Sequence, residues 1–124
     1  MQSKPVVVAQ HSRDQALDLF NPTDEHRQLR TMLRDFVEKE VEKQANEFNE
    51  KEIFNLELFK KTGELGLLGI TAGTEFGGSG MDATAALIAH EELSTSDPAF
   101  CLSTLAHSML LVNNLNVVRC LFCL

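Results

Sequence analysis

Residues 69–94 read GITAGTEFGGSGMDATAALIAHEELS, a glycine-rich segment that leads directly into a helical pattern. Five glycines fall within the twelve residues 69–80, which predicts a loop with left-handed turns or close backbone contacts. Asp82 then stands where a helix N-cap is expected. Apolar residues follow at helical spacing, Ala85, Ile88, Ala89 and Leu93. The segment therefore predicts a break between two pairs of helices, with the third helix ending near Ser94.

Upstream of this loop, a long amphipathic helix is predicted to begin after Asn21, Pro22 and Thr23. Asp24 and Glu25 occupy its first turn, where the helix dipole favours negative charge. Apolar residues at three- and four-residue steps form one predicted buried stripe: Leu29, Met32, Leu33, Phe36, Val37, Val41, Ala45 and Phe48. Charged residues are predicted on the other side: Arg30, Arg34, Glu38, Glu42 and Lys43.

A second helix fits residues 55–64 and a fourth begins near residue 98. We expect the second to turn Leu56, Phe59 and Leu65 inward and to end near Gly63 or Gly66. Pro98 suits the first position of the fourth helix, after Ser96 and Asp97. The residues that follow leave little polar face: Phe100, Leu102, Leu105, Met109, Leu110, Leu111, Val112 and Leu115. Such a helix is expected to be covered on several sides, and with no alternating strand pattern the sequence predicts an all-α fold.

The composition excludes several classes of function. A formal net charge of -7 and scattered basic residues provide no basic stripe for nucleic acid. The three cysteines, Cys101, Cys120 and Cys123, form no disulfide framework and indicate free thiols in a reducing compartment. Residues 1–20 are expected to be a flexible arm without a readable targeting signal.

Four local motifs suggest chemistry, and each has a simpler structural interpretation. His107 and Ser108 are adjacent, so they point in different directions on a helix and His107 is expected to be a structural histidine. His90, Glu91 and Glu92 lack the spacing of a metal motif and are expected on a partly solvated face or at a cap. The glycines Gly77, Gly78 and Gly80 follow no strand and precede no Lys-Ser or Lys-Thr, which favours a turn over a phosphate loop. Cys120 and Cys123 form a single C-x-x-C without a second pair, so chance is the favoured explanation.

The segments GELGLLGI at 63–70, TAGTEFGGSGM at 71–81, HEELS at 90–94 and LSTLAHSMLLVNNL at 102–115 occur in one order. Together with the first helix, they resemble the N-terminal helical domain of the acyl-CoA dehydrogenases, nearest to the isovaleryl-CoA and other short or branched-chain members. The resemblance implies an incomplete all-α up-down bundle over residues 21–115, followed by a divergent tail, residues 116–124. Many members have a proline before the acidic-aromatic-Gly-Gly turn, where this chain has Ala72, Gly73 and Thr74.

The resemblance implies FAD-dependent α,β-dehydrogenation of an acyl-CoA thioester, in fatty-acid or branched-chain amino-acid catabolism. In that family a glutamate removes the α-proton, the β-hydride passes to the flavin, and an electron-transferring flavoprotein is the next partner. The family's flavin contacts and catalytic glutamate fall outside the matched segments, so no catalytic, cofactor-binding or metal-binding residue is assigned. A homo-oligomer is also implied, as is a mitochondrial matrix location in a eukaryote or a cytoplasmic one otherwise.

The family's N-terminal domain contributes one wall of the acyl pocket. Alignment from Glu91, Glu92 and Leu93 places Leu102, Leu105 and Met109 at the wall positions, and their spacing predicts one helix face. Core packing is the equally weighted alternative.

The resemblance stops at residue 115, and we expect this chain to be a shortened form that is inactive on its own. An alternative is a helical interaction module, in which residues 102–115 bind full-length subunits. A membrane anchor is disfavoured because the apolar run, residues 100–112, is shorter than the roughly twenty residues of a spanning helix.

Overall fold

The computed structural model describes the backbone of residues 20–122 and the side chains of residues 20–118. Nineteen of the twenty residues of the predicted arm, 1–19, and the side chains of Cys120 and Cys123 lie outside the described residues. Within the described range the chain is helical without strands, which confirms the all-α prediction. It forms four helices, joined by two short connections and the glycine-rich loop.

Helix α1 consists of three consecutive segments: an α-helix at Asp24–Phe36, a π-helix at Val37–Val41 and an α-helix at Glu42–Glu50. Thr23 caps it as predicted, because its Oγ1 accepts a hydrogen bond of 3.2 Å from the backbone N–H of His26. Two predictions for its faces are wrong. Met32 is 37% exposed, and Arg30 is buried rather than on the polar side.

The π segment of α1 has a cause in the sequence. The buried apolar residues lie four positions apart: Leu29, Leu33, Val37, Val41 and Ala45. An α-helix has about 3.6 residues per turn, so a strict four-residue row drifts around its axis. The wider turn of a π-helix takes up that drift and keeps the row against the core.

Helix α2 spans Leu56–Glu64, with Asn55 as its N-cap. The predicted inner face is wrong for Leu56 and Leu65, which are 54% and 41% exposed. The buried residues are instead Leu58 and Thr62, one turn apart, and Thr62 tolerates burial because its hydroxyl donates to the carbonyl of Phe59. The predicted helix end is confirmed, since Gly66 follows with a left-handed φ of 77°.

The glycine-rich segment is a compact loop with two 3₁₀ turns, Leu67–Gly69 and Thr74–Phe76. Backbone N–H groups of Ser79, Gly80 and Met81 donate to the carbonyls of Gly69, Ala72 and Ile70, respectively. The two sides of the loop are therefore joined to each other. Left-handed φ values at Gly77 and Gly80 confirm the predicted turns.

Helix α3 spans Ala83–Ser94 and is capped by Asp82, whose carboxylate accepts from the N–H of Ala85 at 2.8 Å. Helix α4 follows as an α-helix at Pro98–Leu105, a π-helix at Ala106–Val112 and an α-helix at Asn113–Phe122. Pro98 occupies its first turn as predicted. Both α1 and α4 pack against α3, which therefore lies at the centre of the bundle.

The core has two parts that lie along α3. One joins α1, the loop and α3 through residues that include Leu33, Ile70 and Ile88. The other joins α1, α2, α3 and α4 through residues that include Val41, Leu58, Leu93 and Phe100. The predicted apolar face of α3 is confirmed, because all of its members are buried: Ala85, Ile88, Ala89 and Leu93.

Candidate functional site

Helix α4 carries two different faces. The inner face is buried against the bundle and consists of Phe100, Cys101, Thr104 and Ser108. The outer face is a band of exposed apolar side chains, 46% to 64% accessible, which we call the α4 band: Leu102, Leu110, Leu111, Leu115, Val117 and Val118. A group of exposed apolar side chains on one helix is a candidate binding surface.

The α4 band lies on a stretch without charge, since residues 98–118 contain no Asp, Glu, Lys or Arg. Among the described residues, one helix, Pro98–Val118, is long enough and apolar enough to cross a membrane, with a mean hydropathy of 1.2. This helix is longer than the apolar run 100–112, whose short length was the reason for disfavouring a membrane anchor. Core helices of soluble proteins can have the same composition but are mostly buried, whereas 17% of this stretch is buried, and α4 packs on α3 through its inner face alone.

The predicted wall residues have three different environments. Leu102 is 64% exposed in the α4 band, and Leu105 is half-buried. Met109 is half-buried and packs against the core that contains Leu29 and Leu33. Met109 lies in the π segment, where the α-helical spacing used in the prediction does not apply. Leu102 is thus exposed whereas Leu105 and Met109 are half-buried, and their role in an acyl pocket stays a prediction.

Polar side chains fix the inner face of α4. His90 of α3 hydrogen-bonds Ser108 across a distance of 3.2 Å from Nε2 to Oγ, and its Nδ1 lies 2.6 Å from the carbonyl oxygen of Ala86. The Cys101 thiol donates to the carbonyl of His90. Thr71 in the loop donates to Oδ1 of Asn113 at 3.1 Å. The orientation of α4 is therefore set from both α3 and the glycine-rich loop.

Cys101 is a free, buried cysteine, as predicted for a thiol outside any disulfide framework. Burial raises the pKa of this thiol, and the negative charge of Asp97 raises it further. A thiol with a raised pKa is a poor nucleophile at neutral pH. We therefore assign Cys101 a packing role.

Helix α3 is joined to α1 by a buried charge cluster. The Arg30 guanidinium donates to the carboxylates of Glu92 and Glu91, the latter at 2.8 Å, and Arg34 donates to Glu92 at 3.1 Å. Burial would lower the pKa of Arg30, but the hydrogen bonds and charges of Glu91 and Glu92 outweigh it and raise that pKa. The predicted solvated face is therefore wrong for Glu92, which is 5% exposed. The sequence feature that corresponds to this cluster is a pair of acids on one helix together with two arginines four residues apart on another, and the sequence analysis did not use it.

His107 and Ser108 do not form a pair. Ser108 bonds His90, whereas the His107 ring contacts the edge of Phe59 with 5.6 Å between ring centroids. The Nδ1 atom of His107 is buried and has no hydrogen-bond partner among the described residues. The prediction of a structural histidine is confirmed for packing but not for hydrogen bonding at Nδ1.

The glycine-rich loop is not built as a phosphate site. A phosphate loop directs backbone N–H groups at an anion. Here those of Gly78, Ser79, Gly80 and Met81 donate to carbonyls of the loop itself. The described residues also contain no group of three or more His, Cys, Asp or Glu side chains arranged to hold a metal ion.

This chain is similar to a family of known proteins over most of its length. The family described as "Acyl-CoA dehydrogenase, N-terminal domain" matches residues 23–118, which include all of α1, α2, α3 and the α4 band. The match therefore covers both the bundle and the surface described above.

Individual relatives show the same similarity over part of their length. A short-chain-specific acyl-CoA dehydrogenase of Clostridium acetobutylicum is 45% identical over 75 residues, which is 60% of this chain and 20% of the relative. The mitochondrial isovaleryl-CoA dehydrogenase of Bos taurus is 38% identical over 104 residues, 82% of this chain and 24% of the relative. That of Pongo abelii is 39% identical over 95 residues, 75% of this chain and 22% of the relative. The chain thus spans about a fifth to a quarter of the length of the relatives it matches.

Proposed function

Because this chain belongs to the acyl-CoA dehydrogenase family through its N-terminal domain, we propose that it forms the acyl-chain side of an enzyme that oxidises acyl-CoA thioesters. The proposed reaction is α,β-dehydrogenation with FAD as the electron acceptor. No described residue is assigned as its catalytic base. The role proposed for this chain is to bind the apolar part of the substrate and to keep water away from it.

The observation that carries the proposal is the uncharged stretch 98–118 of helix α4, which has a buried inner face and an exposed apolar outer face. An acyl chain has no polar groups, so it gains free energy by removing apolar protein surface from water, about 25 cal/mol per Å². Charged residues on such a wall would lose their hydration when the chain bound, and residues 98–118 contain none. The side chains of α4 therefore have the chemistry that an acyl wall needs.

Within this helix, Leu102, Leu105 and Met109 are the proposed wall residues. An acyl chain on these residues would run from the exposed Leu102 towards Met109, which packs against the core. The π segment at Ala106–Val112 supports this assignment, because short π segments occur often at functional sites.

FAD does not fit on the described residues. Three cavities between these residues have volumes of about 280 to 400 Å³, and their lining residues lie outside the loop and outside the wall. The loop N–H groups that could contact a pyrophosphate bond carbonyls instead. We therefore propose that other sequence of the enzyme holds the flavin.

The partners and the location follow from the same proposal. The enzyme would take an acyl-CoA as substrate and pass electrons to an electron-transferring flavoprotein, and a homo-oligomer is proposed. Some relatives carry the description mitochondrial. We propose the mitochondrial matrix if the source is eukaryotic and the cytoplasm if it is bacterial.

A chimera tests the proposed function. Residues 23–118 would replace the matching segment of the Clostridium acetobutylicum relative, and flavin reduction by butyryl-, octanoyl- and palmitoyl-CoA would be followed by absorbance. We expect the chimera to hold FAD and to be reduced by at least one acyl-CoA, with a chain-length preference that differs from the parent's. A chimera that holds FAD and is reduced by none of the three would refute the proposal.

The exposed α4 band also favours a second candidate, a binding module for full-length subunits of the family. Such a module would cover the band on a partner and would need no catalysis. Tagged chain mixed with the Clostridium acetobutylicum relative tests it by size-exclusion chromatography. Co-elution that is lost in Leu110→Asp but kept in Lys39→Asp supports this candidate, and separate elution of the unaltered chain rejects it.

A further inference from the structure

A cavity of about 320 Å³ lies between the end of α1, the turn before α2 and the beginning of α4. Its lining includes the side chains of Phe48, Phe54 and Phe100 and two carboxylates, Glu52 and Asp97. Lys, Arg and His are absent from the described residues that line it. The cavity has the size of a small ligand site, and its lining is apolar and negatively charged. It does not share residues with the predicted acyl wall.

Asp97 is the most informative residue of this cavity. It is 3% exposed, and Oδ1 accepts a hydrogen bond of 2.9 Å from the N–H of Phe100 at the beginning of α4. Oδ2 has only a 3.5 Å contact with the side-chain amide of Gln44. Among the described residues no Lys, Arg or His side chain forms an ion pair with it.

A buried carboxylate without a cation is costly, because it loses hydration that one or two hydrogen bonds replace only in part. Glu92 shows how the same fold treats a second buried acid, since two arginines surround it. Asp97 instead faces open space of ligand size. The first turn of α4, which Asp97 caps, favours its charge in part, and the contrast with Glu92 makes the cavity a candidate site for a cation.

The aromatic lining suits the same type of ligand. Phe54 is 50% exposed, and its ring is held between Phe59 and Phe100, with centroid distances of 5.4 and 6.4 Å. The faces of phenyl rings attract cations and alkyl groups alike. Glu52 is exposed and adds a second negative charge to the lining. The cavity thus offers rings for methylene groups and a buried carboxylate for a positive charge.

We propose that this cavity binds a short alkyl chain that ends in an ammonium or guanidinium group, with the cation at Asp97 and the methylenes against the phenylalanine rings. The chemistry is shared by a free small amine and by a Lys or Arg side chain of another protein. The proposal is independent of the acyl-CoA reaction, because it uses different residues and requires no flavin.

The test is calorimetric titration of the full chain with butylammonium, with N-acetyllysine amide, with N-acetylarginine amide and with neutral 1-pentanol. Asp97→Asn is the decisive variant, since Asn caps a helix as well as Asp and removes the charge, and it replaces the Oδ2 acceptor of the weak Gln44 contact by an NH2 donor. Asp82→Asn is the matched control, because Asp82 caps α3 in the same way and lies outside the cavity. Phe54→Leu is a second variant, at an exposed position. It removes the aromatic ring but keeps an apolar side chain in the lining of the cavity.

We expect saturable binding of at least one cation, about tenfold or more weaker in Asp97→Asn, which corresponds to about 1.4 kcal/mol. Binding should be severalfold weaker in Phe54→Leu and unchanged in Asp82→Asn, and 1-pentanol should not distinguish Asp97→Asn from the unaltered chain. N-acetyllysine amide carries the same butylammonium group on a peptide backbone, so tighter binding of it than of butylammonium would identify a protein side chain as the source, and tighter binding of butylammonium a free amine. Binding of none of the cations to the folded chain, or equal binding by Asp97→Asn, would overturn the proposal.

Discussion

Arg30 of α1 and Glu92 of α3 form a buried ion pair that joins the two helices at the centre of the bundle, with side chains 10% and 7% exposed. Arg34 contacts the same carboxylate from the solvent side, and Glu91 contacts the same guanidinium. Asn21 adds a hydrogen bond of 2.7 Å from Arg30 Nε to its side-chain oxygen. Each charge is therefore matched, which is the condition under which a buried pair is tolerated.

Removal of Arg30 should be strongly destabilising. Arg30→Ala leaves Glu92 with one exposed partner, and we expect the free energy of unfolding to fall by about 3 kcal/mol or more. Lys39→Ala is the control, because it breaks an exposed pair with Asp35 and should leave the free energy of unfolding nearly unchanged. Urea denaturation followed by circular dichroism measures both, and equal losses in the two variants would contradict the interpretation.

This ion pair also shows a limit of sequence reasoning. The spacing of apolar residues correctly located the helices, because burial of a stripe depends on local periodicity. The same spacing assigned Arg30 to the polar side, since a lone charge is expected in water. Only the approach of α3, which brings Glu91 and Glu92 to α1, makes burial of Arg30 favourable. A partner sixty residues away has no local signal.

The close approach at Gly78 gives a second prediction. A Cβ atom on Gly78 would lie 2.2 Å from the carbonyl oxygen of Ala72, and that oxygen also accepts the N–H of Gly80. Gly78→Ala should therefore force the two sides of the loop apart and cost about 3 kcal/mol.

The matched control for this position is Gly69→Ala, whose Cβ would meet only ordinary contacts from 3.5 Å outward. It should leave stability unchanged or raise it by up to about 1 kcal/mol. Thermal unfolding of both variants checks the pair of outcomes. A Gly78→Ala protein as stable as Gly69→Ala would show that the loop opens without cost.

His107 should be replaceable with a gain in stability. Its buried Nδ1 lacks a hydrogen-bond partner among the described residues, and such an atom costs about 1 to 3 kcal/mol. His107→Phe removes this atom and keeps the ring contact with Phe59, so we expect unfolding free energy to rise by about 1 kcal/mol. His90→Phe should have the opposite sign, because His90 bonds Ala86 and Ser108. Loss of stability in both variants would contradict this assignment.

The sequence analysis predicted neither π segment, although the spacing of the apolar residues explains them once the structure is known. In α1 the apolar row at four-residue steps needs a wider turn, and α4 has a similar row at Cys101, Leu105 and Met109, the last of which lies inside its π segment. The prediction that Leu102, Leu105 and Met109 share one face assumed a uniform α-helix. Local spacing locates a helix well, but it does not reveal where the helix widens.

Leu105 gives the last prediction, which concerns the proposed acyl wall. It is half-buried between exposed Leu102 and core-packed Met109, so a larger side chain there should shorten the space for an acyl chain. In the chimera described above, Leu105→Phe should lower kcat/KM for octanoyl-CoA relative to butyryl-CoA by about tenfold, or roughly 1.4 kcal/mol. Leu110→Phe is the control, since Leu110 is 62% exposed and outside the predicted wall, and its ratio should match that of the unaltered chimera. Circular dichroism would confirm that both variants fold, and an unchanged ratio in Leu105→Phe would remove Leu105 from the wall.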